Sequence, residues 1–400
     1  MEIGVVGKPN VGKSTFFNAC TMAGAEVASY PFTTVEPNRA IAYVRSPCAC
    51  VGLGVTCSPK NSICIRGNRF IPVEMIDVAG LVPKAHEGRG LGNKFLDELR
   101  QAKVLIHVVD ASGSTDEEGN PVSPGSHDPL EDVRFLEEEI ELWFLGIFKR
   151  GWDKISRRVQ FEGKDFITYF TMNYSGLGFS EAQVSAAIKE AQVDPRLPKE
   201  WTQEELASFA KALRKTSKPV IIAANKADID AAEDNIKAMR KEHGDLVVPT
   251  SAMAEYVLKN LSREGVVDYI PGDGEFRVDE AKAQGLDARH RKALEIIRRV
   301  LSRYGSTGVQ RCIDTAVFGI LGRVVVYPVE DEGKFADKEG RVLPDAYLME
   351  PGSTPRDLAF KIHTEIGEAF LGALDAKTKK KIKSDKELEN GEVIKILTGK

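Results

Sequence analysis

The sequence predicts an α/β fold in which a sheet domain is interrupted by a helical domain and followed by a small β/α module. Three observations predict it. Short apolar runs suited to buried strands recur at Ile3–Val6, Phe70–Ile76, Val104–Asp110, Pro219–Ala224 and Leu246–Pro249. The interval between the third and fourth runs is far longer than a simple crossover needs, and it carries helical periodicity. From Arg323 the pattern turns strand-like again, at Val324–Pro328, Tyr347–Met349 and Val393–Leu397.

The first run opens onto Gly7-Lys8-Pro9-Asn10-Val11-Gly12-Lys13-Ser14, which fits G-x-x-x-x-G-K-[ST], a phosphate-binding P-loop. Thr15 and the residues after it start a helix, so the loop sits between strand and helix. That order matters because a helix N-terminus offers unpaired N–H groups and the positive end of its dipole to an anion. Gly7 and Gly12 permit the tight turn. The backbone from Gly7 through Pro9, Asn10 and Val11 to Thr15 would line the phosphates, Lys13 would reach the β- and γ-phosphates, and Ser14 would ligate Mg²⁺. Next, Tyr30-Pro31-Phe32-Thr33-Thr34-Val35-Glu36-Pro37-Asn38 reads as a loop. Here Thr34, with Thr33 as the alternative, can ligate Mg²⁺ and meet the γ-phosphate.

A strand at Ala40–Val44 leads into a Cys-rich insertion, residues 46–67. The strand Phe70–Ile76 then delivers Asp77-Val78-Ala79-Gly80, a D-x-x-G pattern. Asp77 would hold Mg²⁺ through water, and the Gly80 N–H would touch the γ-phosphate. Leu81 follows, where many P-loop GTPases carry a water-orienting glutamine, and a leucine side chain cannot hydrogen-bond water. His107, inside a buried-type strand, reads as a core residue. In the long interval, Leu130, Val133, Leu136, Ile140 and Phe144 make an amphipathic stripe within a helix predicted over Leu130–Phe148, with further helices at Ser180–Ala191 and Gln203–Lys215. Trp143, Trp152 and Trp201 read as core.

The strand Pro219–Ala224 ends in Asn225-Lys226-Ala227-Asp228, the N-K-x-D pattern. The Asp228 carboxylate can accept two hydrogen bonds from guanine N1–H and N2–H₂; adenine offers no such pair. Lys226 would pack along the base. Thr250-Ser251-Ala252 follows the next strand, and its backbone N–H groups could contact guanine O6. Residues 289–303 hold six basic residues against the single acid Glu295, either a solvated face or an RNA-facing surface. Thr354 reads as an N-cap with Pro355 in the first helical position.

Composition agrees with a cytoplasmic reading. The chain has 400 residues, enough for two or three domains, with 42% apolar and 28% charged residues. A net charge of −4 excludes a globally basic nucleic-acid binder, though not a local basic patch. No signal region or apolar run of spanning length occurs, so no membrane partner is expected. Four of the six cysteines, Cys48, Cys50, Cys57 and Cys64, cluster in the insertion. They allow a zinc site, reduced thiols in a loop, or a disulfide, since the C-x-C start is not a standard knuckle.

The four ordered motifs, Gly7–Ser14, Thr34, Asp77–Gly80 and Asn225–Asp228, identify a P-loop NTPase sheet domain. The stretches Tyr30–Asn38 and Ala79–Leu96 resemble the Obg family, in particular its Obg-like ATPase (YchF-type) branch. That branch also carries a helical insertion and a C-terminal TGS domain of β-grasp fold, which the last module resembles. The resemblance implies an α/β chain with a P-loop NTPase sheet domain, an inserted helical domain and a C-terminal β-grasp (TGS-like) domain. The expected limits are a G domain over 1–111 and 218–321, the helical insertion over 112–217, and the TGS-like domain over 322–400. Two departures, Asp228 where the best-known members carry Glu and accept ATP, and the Cys-rich insertion, fit a divergent, archaeal-type subgroup that uses GTP.

The resemblance also implies a GTPase that acts on ribosomes or RNA, with Mg²⁺ at Ser14, Thr34 and Asp77. Lys13, Thr34, Gly80 and Asn10 are the expected catalytic groups. Asn10 resembles the P-loop Asn of GTPases that bind K⁺ beside the phosphates, a charge that would serve where others use an arginine finger; His86 is the other group that could reach the water. The competing readings are a nucleotide-dependent binding module with negligible turnover and an ATPase with a stress-regulatory role.

Overall fold

The computed structural model describes residues 2–21, 38–78 and 98–399. Thr33, Thr34, Gly80, Leu81 and His86 lie outside the described residues. Seven strands form the first sheet: β1 (Glu2–Val6), β2 (Arg39–Pro47), β3 (Ile63–Ile65), β4 (Asn68–Asp77), β5 (Val104–Asp110), β6 (Val220–Asn225) and β7 (Val247–Pro249). Their order is β2-β4-β1-β5-β6-β7, with β3 paired to β4. The pairs β4–β1, β1–β5, β5–β6 and β6–β7 are parallel, whereas β2 and β3 run antiparallel to β4. Every residue of β5 and β6 is buried, which is why these strands read as continuous apolar runs.

Period-two alternation assigns the two faces of β1. Ile3 and Val5 pack in a core shared with the helix Lys13–Cys20, whereas Val6 joins Ile76, Leu105 and the helix that follows β5. The carboxyl ends of β1, β4, β6 and β7 come to one edge of the sheet, where open α/β sheets bind ligands. They deliver Gly7, Asp77, Asn225 and Thr250.

The helix expected over Leu130–Phe148 runs much further, over Pro129–Glu162, 34 residues. Its apolar stripe continues through Trp152, Ile155 and Val159, and Gly163 ends it in the left-handed region at φ 67°. Asp128 caps its start, accepting from the Leu130 N–H at 3.0 Å. Gly151 lies inside it because a Cβ there would stand 2.7 Å from the Tyr174 hydroxyl. The helices Glu181–Ala191 and Gln203–Ser217 each begin with a capping box, on Ser180 and Thr202. A further helix, Phe166–Asn173, lies between. The aromatic core includes Phe148, fully buried, whose ring lies 5.1 Å from that of Phe170 and 6.1 Å from that of Phe209. Trp143, Trp152 and Trp201 belong to the same core, as expected.

The insertion 46–67 is more ordered than a Gly-, Pro- and Ser-rich loop. It holds a short helix, Ala49–Leu53, and β3, which forms a hairpin with β4 through Arg66 (φ 48°) and Gly67 (φ 79°). Beyond β7, the segment is mainly helical, with the two-stranded pair β8 (Val267–Asp268) and β9 (Arg277–Val278) between the helices Ala252–Arg263 and Ala288–Tyr304.

The last module is a five-stranded sheet of β10 (Val324–Val329), β11 (Tyr347–Met349), β12 (Phe370–Asp375), β13 (Lys380–Ile382) and β14 (Glu392–Thr398), in the order β11-β10-β14-β12-β13. Only β10–β14 is parallel. The helix Pro355–Ile362, capped by Thr354 with Asp357 as its reciprocal partner, buries Leu358 against this sheet, the β-grasp arrangement expected.

Phe148→Ala opens a cavity among five aromatic rings. It should lower stability by about 3–5 kcal/mol, read from the urea midpoint.

Candidate nucleotide-binding site

At the edge of the sheet the P-loop turns because its backbone has room only for glycine at two positions. A Cβ on Gly7 would lie 2.6 Å from the Val108 carbonyl oxygen. Gly12 has φ 90°, and a Cβ there would lie 2.4 Å from Asn225 Nδ2. Gly12 also serves as N-cap of the helix Lys13–Cys20 without any side-chain cap, so the first-turn N–H groups face the loop concavity. Ser14 is exposed and Thr15 half-exposed at this helix start. Lys13 forms an ion pair with Asp77, which brings the expected phosphate-binding ammonium and the expected magnesium carboxylate to one place.

Asn225 joins the two ends of the site. Its Nδ2 donates to the Val11 carbonyl at 2.8 Å, and its Oδ1 accepts from the Ala252 N–H at 3.0 Å. It is buried, as are Val11 and Ala252. Asp228, half-buried, accepts from the Ser251 hydroxyl at 2.7 Å, which places its carboxylate beside the loop after β7. The same hydroxyl caps the helix Ala252–Arg263. All three backbone N–H groups of Thr250–Ala252 donate within the protein, to the Ala224 carbonyl, the Thr307 carbonyl and Asn225. Contact with guanine O6 through them therefore requires exchange of one of these bonds.

Lys226 adopts φ 61°, and its ammonium pairs with Asp110 at 2.8 Å. Asp110 also accepts from the hydroxyls of Ser112, Ser114 and Thr115 at 2.6, 2.8 and 3.0 Å. Burial would raise this carboxyl, but Lys226 and the serines outweigh it and hold it below the ordinary carboxylate range. With its ammonium anchored, the methylene stem of Lys226 is the part left to lie along a base.

Two P-loop side chains have partners in the chain that follows β5, and sequence reasoning missed them. Lys8 is buried and pairs with Asp132 at 2.8 Å, close to the start of the long helix. Asn10, at φ 62°, donates through Nδ2 to the Gly119 carbonyl at 2.9 Å, leaving Oδ1 unused by that bond. A Cβ on Gly119 would stand 2.7 Å from the Pro9 carbonyl oxygen, so the turn around it packs directly on the P-loop. His107 is a core residue: burial, aided by Lys8, pushes its imidazole down to about 3, and it is neutral. The six basic residues of the helix Ala288–Tyr304 are all exposed. Among them Arg303 pairs with Glu233 at 3.3 Å, and Arg299 and Arg303 border the same shallow cavity as Asp228.

The four clustered cysteines also converge. The Sγ atoms of Cys48, Cys50, Cys57 and Cys64 all lie within 4.8 Å of one another. Cys48 and Cys57 sulfurs are 3.9 Å apart, nearly twice a disulfide bond length. Among the described residues no helix is long and apolar enough to cross a membrane.

Three family models match in order along the chain. A 50S ribosome-binding GTPase model covers residues 2–132, an Obg-like GTPase YGR210-like, G4 motif-containing domain covers 223–331, and a TGS domain covers 339–398. An uncharacterized GTP-binding protein of Methanocaldococcus jannaschii is 53% identical over 397 residues, covering 99% of this chain and 98% of its own. The crystal structure of a GTP-binding protein from Pyrococcus horikoshii is 40% identical, with a TM-score of 0.78 and coverage of 100% of both chains. The ribosome-binding ATPase YchF of Bacillus subtilis is 32% identical over 260 residues, 62% of this chain and 64% of its own.

Asn225→Ala strands a buried carbonyl and a buried N–H together. Stability should fall by about 2–4 kcal/mol in urea unfolding, and guanine-nucleotide affinity should fall with it in calorimetry.

Proposed function

We propose, from the premise that this chain belongs to the Obg-like P-loop GTPase family, that it hydrolyses GTP to GDP and phosphate as a regulatory switch on ribosomes or RNA in the cytoplasm. The observation that carries the choice of base is Asp228, a half-buried carboxylate oriented by Ser251 at the end of β6. A carboxylate accepts the paired N–H donors of guanine, and a site built for such donors rejects a base that lacks them. The relatives named ribosome-binding ATPase supply the ribosome half of the proposal, and the exposed basic face of the helix Ala288–Tyr304 is the surface that would meet RNA phosphates. Their name also favours the second reading, an ATPase. A binding module with negligible turnover is separated from both by single-turnover phosphate release.

The residues fit a magnesium nucleotide. Ser14 and Asp77 are oxygen donors at the open edge of the sheet, to which Thr34 would add a third. Mg²⁺ there would neutralise charge on the β- and γ-phosphates. Gly7 through Thr15 would cradle the phosphates, Lys13 would exchange Asp77 for phosphate oxygens, and the Gly80 N–H would meet the γ-phosphate. With Leu81 unable to hold water, charge compensation would fall to Asn10, whose Oδ1, not used by the Nδ2 bond to Gly119, would ligate K⁺. The four cysteines would hold zinc, away from this chemistry.

Competition binding should show preference for GTP over ATP. Asp228→Asn should reverse the preference toward xanthosine triphosphate, because the C2 carbonyl of xanthine replaces a donor with an acceptor. Equal affinity of the native protein for ATP and GTP would refute the base assignment. Phosphate release should be faster in KCl than in NaCl at equal ionic strength, and Asn10→Ala should abolish that difference while nucleotide binding persists.

A further inference from the structure

The cysteine cluster lies where the nucleotide domain meets the C-terminal module. Cys48 and Cys50 sit at the start of the helix Ala49–Leu53, Cys57 follows in the loop, and Cys64 is the middle residue of β3. Three separate pieces of backbone therefore bring four sulfurs to one point. Zinc–sulfur bonds of about 2.3 Å in a tetrahedron put sulfur atoms about 3.8 Å apart. The Cys48–Cys57 separation of 3.9 Å and the 4.8 Å limit for the whole set are close to that geometry.

A second observation points to the same ion. Arg69, paired in register with Cys64, is fully buried. Its Nε donates to the Ser62 hydroxyl at 2.8 Å, and its Nη2 donates to the carbonyls of Leu343 and Pro344 at 2.7 and 3.2 Å. Those acceptors are neutral. The other contacts of Arg69 are Nη1 to Cys48 Sγ at 4.0 Å and the face of the Tyr327 ring, whose centroid lies 5.6 Å from the guanidinium carbon. Among the described residues no carboxylate comes within ion-pair distance of it. Half-buried Asp345 interacts with it electrostatically from beyond that distance, and a buried guanidinium with no carboxylate in contact is costly. Four thiolates around one Zn²⁺ carry a net double negative charge, placed beside this cation.

The same segment makes the contacts that hold the C-terminal module. Ser58 N–H donates to the Val342 carbonyl at 2.8 Å and Lys60 N–H to the Pro344 carbonyl at 2.7 Å. Asn61 donates to the Ala346 carbonyl at 3.2 Å and accepts from its N–H at 3.0 Å. Cys48 and Cys50 share one hydrophobic core with Tyr327, Leu343 and Val393 of the module.

We propose that one zinc ion on Cys48, Cys50, Cys57 and Cys64 makes the 46–67 insertion a clasp that fixes the C-terminal module to the nucleotide domain. The clasp rests on the zinc reading of the cysteines and is independent of the nucleotide reading. The ion fixes the loop bearing Ser58, Lys60 and Asn61, and its thiolate shell balances Arg69, whose guanidinium grips the bend at 343–344. Loss of the ion frees both.

The test uses the full-length protein, purified under reducing conditions without chelators. Elemental analysis should find about one zinc per chain, and cobalt(II) should give the visible bands of a tetrahedral thiolate site. Removing zinc from the native protein by chelation should speed hydrogen exchange at residues 342–346 by roughly tenfold. Affinity for a GTP analogue should stay within about twofold, because none of its proposed contacts lies in the insertion. Cys57→Ser/Cys64→Ser should reproduce the loss of zinc and the faster exchange. Absence of zinc together with no uptake on zinc titration would overturn the metal site. Zinc present but with unchanged exchange at 342–346 after its removal would overturn the clasp, as would exchange that rises equally across the whole chain. Failure to bind GTP with zinc and clasp intact would instead refute the nucleotide reading alone.

Discussion

The nucleotide site depends on the buried amide of Asn225. A guanine nucleotide needs its phosphates and its base held at a fixed separation, yet the two loops that hold them are 214 residues apart in the chain. They also follow strands that are not neighbours, because β5 lies between β1 and β6. Asn225 closes that gap by donating to Val11 in the P-loop and accepting from Ala252 in the base loop. An amide is the side chain that can do both at once. Gly12 is the counterpart of this arrangement, since any Cβ would stand only 2.4 Å from the Asn225 nitrogen. The phosphate motif and the base motif therefore constrain one another.

A second set of contacts ties the same loop to the chain leading into the helical interval. Lys8 reaches Asp132, Asn10 reaches Gly119, and the Asp110 network gathers Lys226 and three hydroxyls from the turn after β5. The P-loop thus has the base loop on one side and the entry to the long helix on the other. A displacement of either moves groups in direct contact with the phosphate-binding backbone.

The motifs were legible because each encodes a local backbone requirement. Glycines at positions 7 and 12, a lysine and serine at a helix start, and an acid at a strand end carry their meaning within a few residues. The sheet was legible for a similar reason, since β5 and β6 are apolar throughout. The long helix runs past Phe148, where the expected helix ends, and the Tyr174 hydroxyl shows why a glycine stands at 151 inside it. The partners of Lys8 and Arg69 lie far along the chain, so no local pattern announces them. The cysteines were visible as a cluster, but their spacing matches no knuckle; convergence depends on a helix turn and a hairpin folding onto each other. The N–H groups of Thr250–Ala252 were identified as donors, whereas their acceptors within the protein are set by tertiary contacts.

Buried cations have two kinds of partner in this fold: Lys218 donates to the Arg100 and Ala102 carbonyls at 3.0 and 2.7 Å, and three others have carboxylates. Lys8 has Asp132, and Arg214 has Glu137 and Glu141 at 3.1 and 3.2 Å. Lys226, half-buried, has Asp110. In these three a carboxylate offsets the loss of hydration. Arg69 is buried more completely than any of these, and its contacts are a hydroxyl, two carbonyls, the Tyr327 ring at 5.6 Å and a cysteine sulfur, with the Asp345 carboxylate acting on it from further away. Carbonyl dipoles and a ring face partly solvate a guanidinium but do not neutralise it. Sulfur can supply the missing charge only as thiolate, and four thiolates so close together repel unless a cation lies between them. The burial of Arg69 and the convergence of the cysteines bear on the same electrostatic problem, and the zinc ion proposed above would address both.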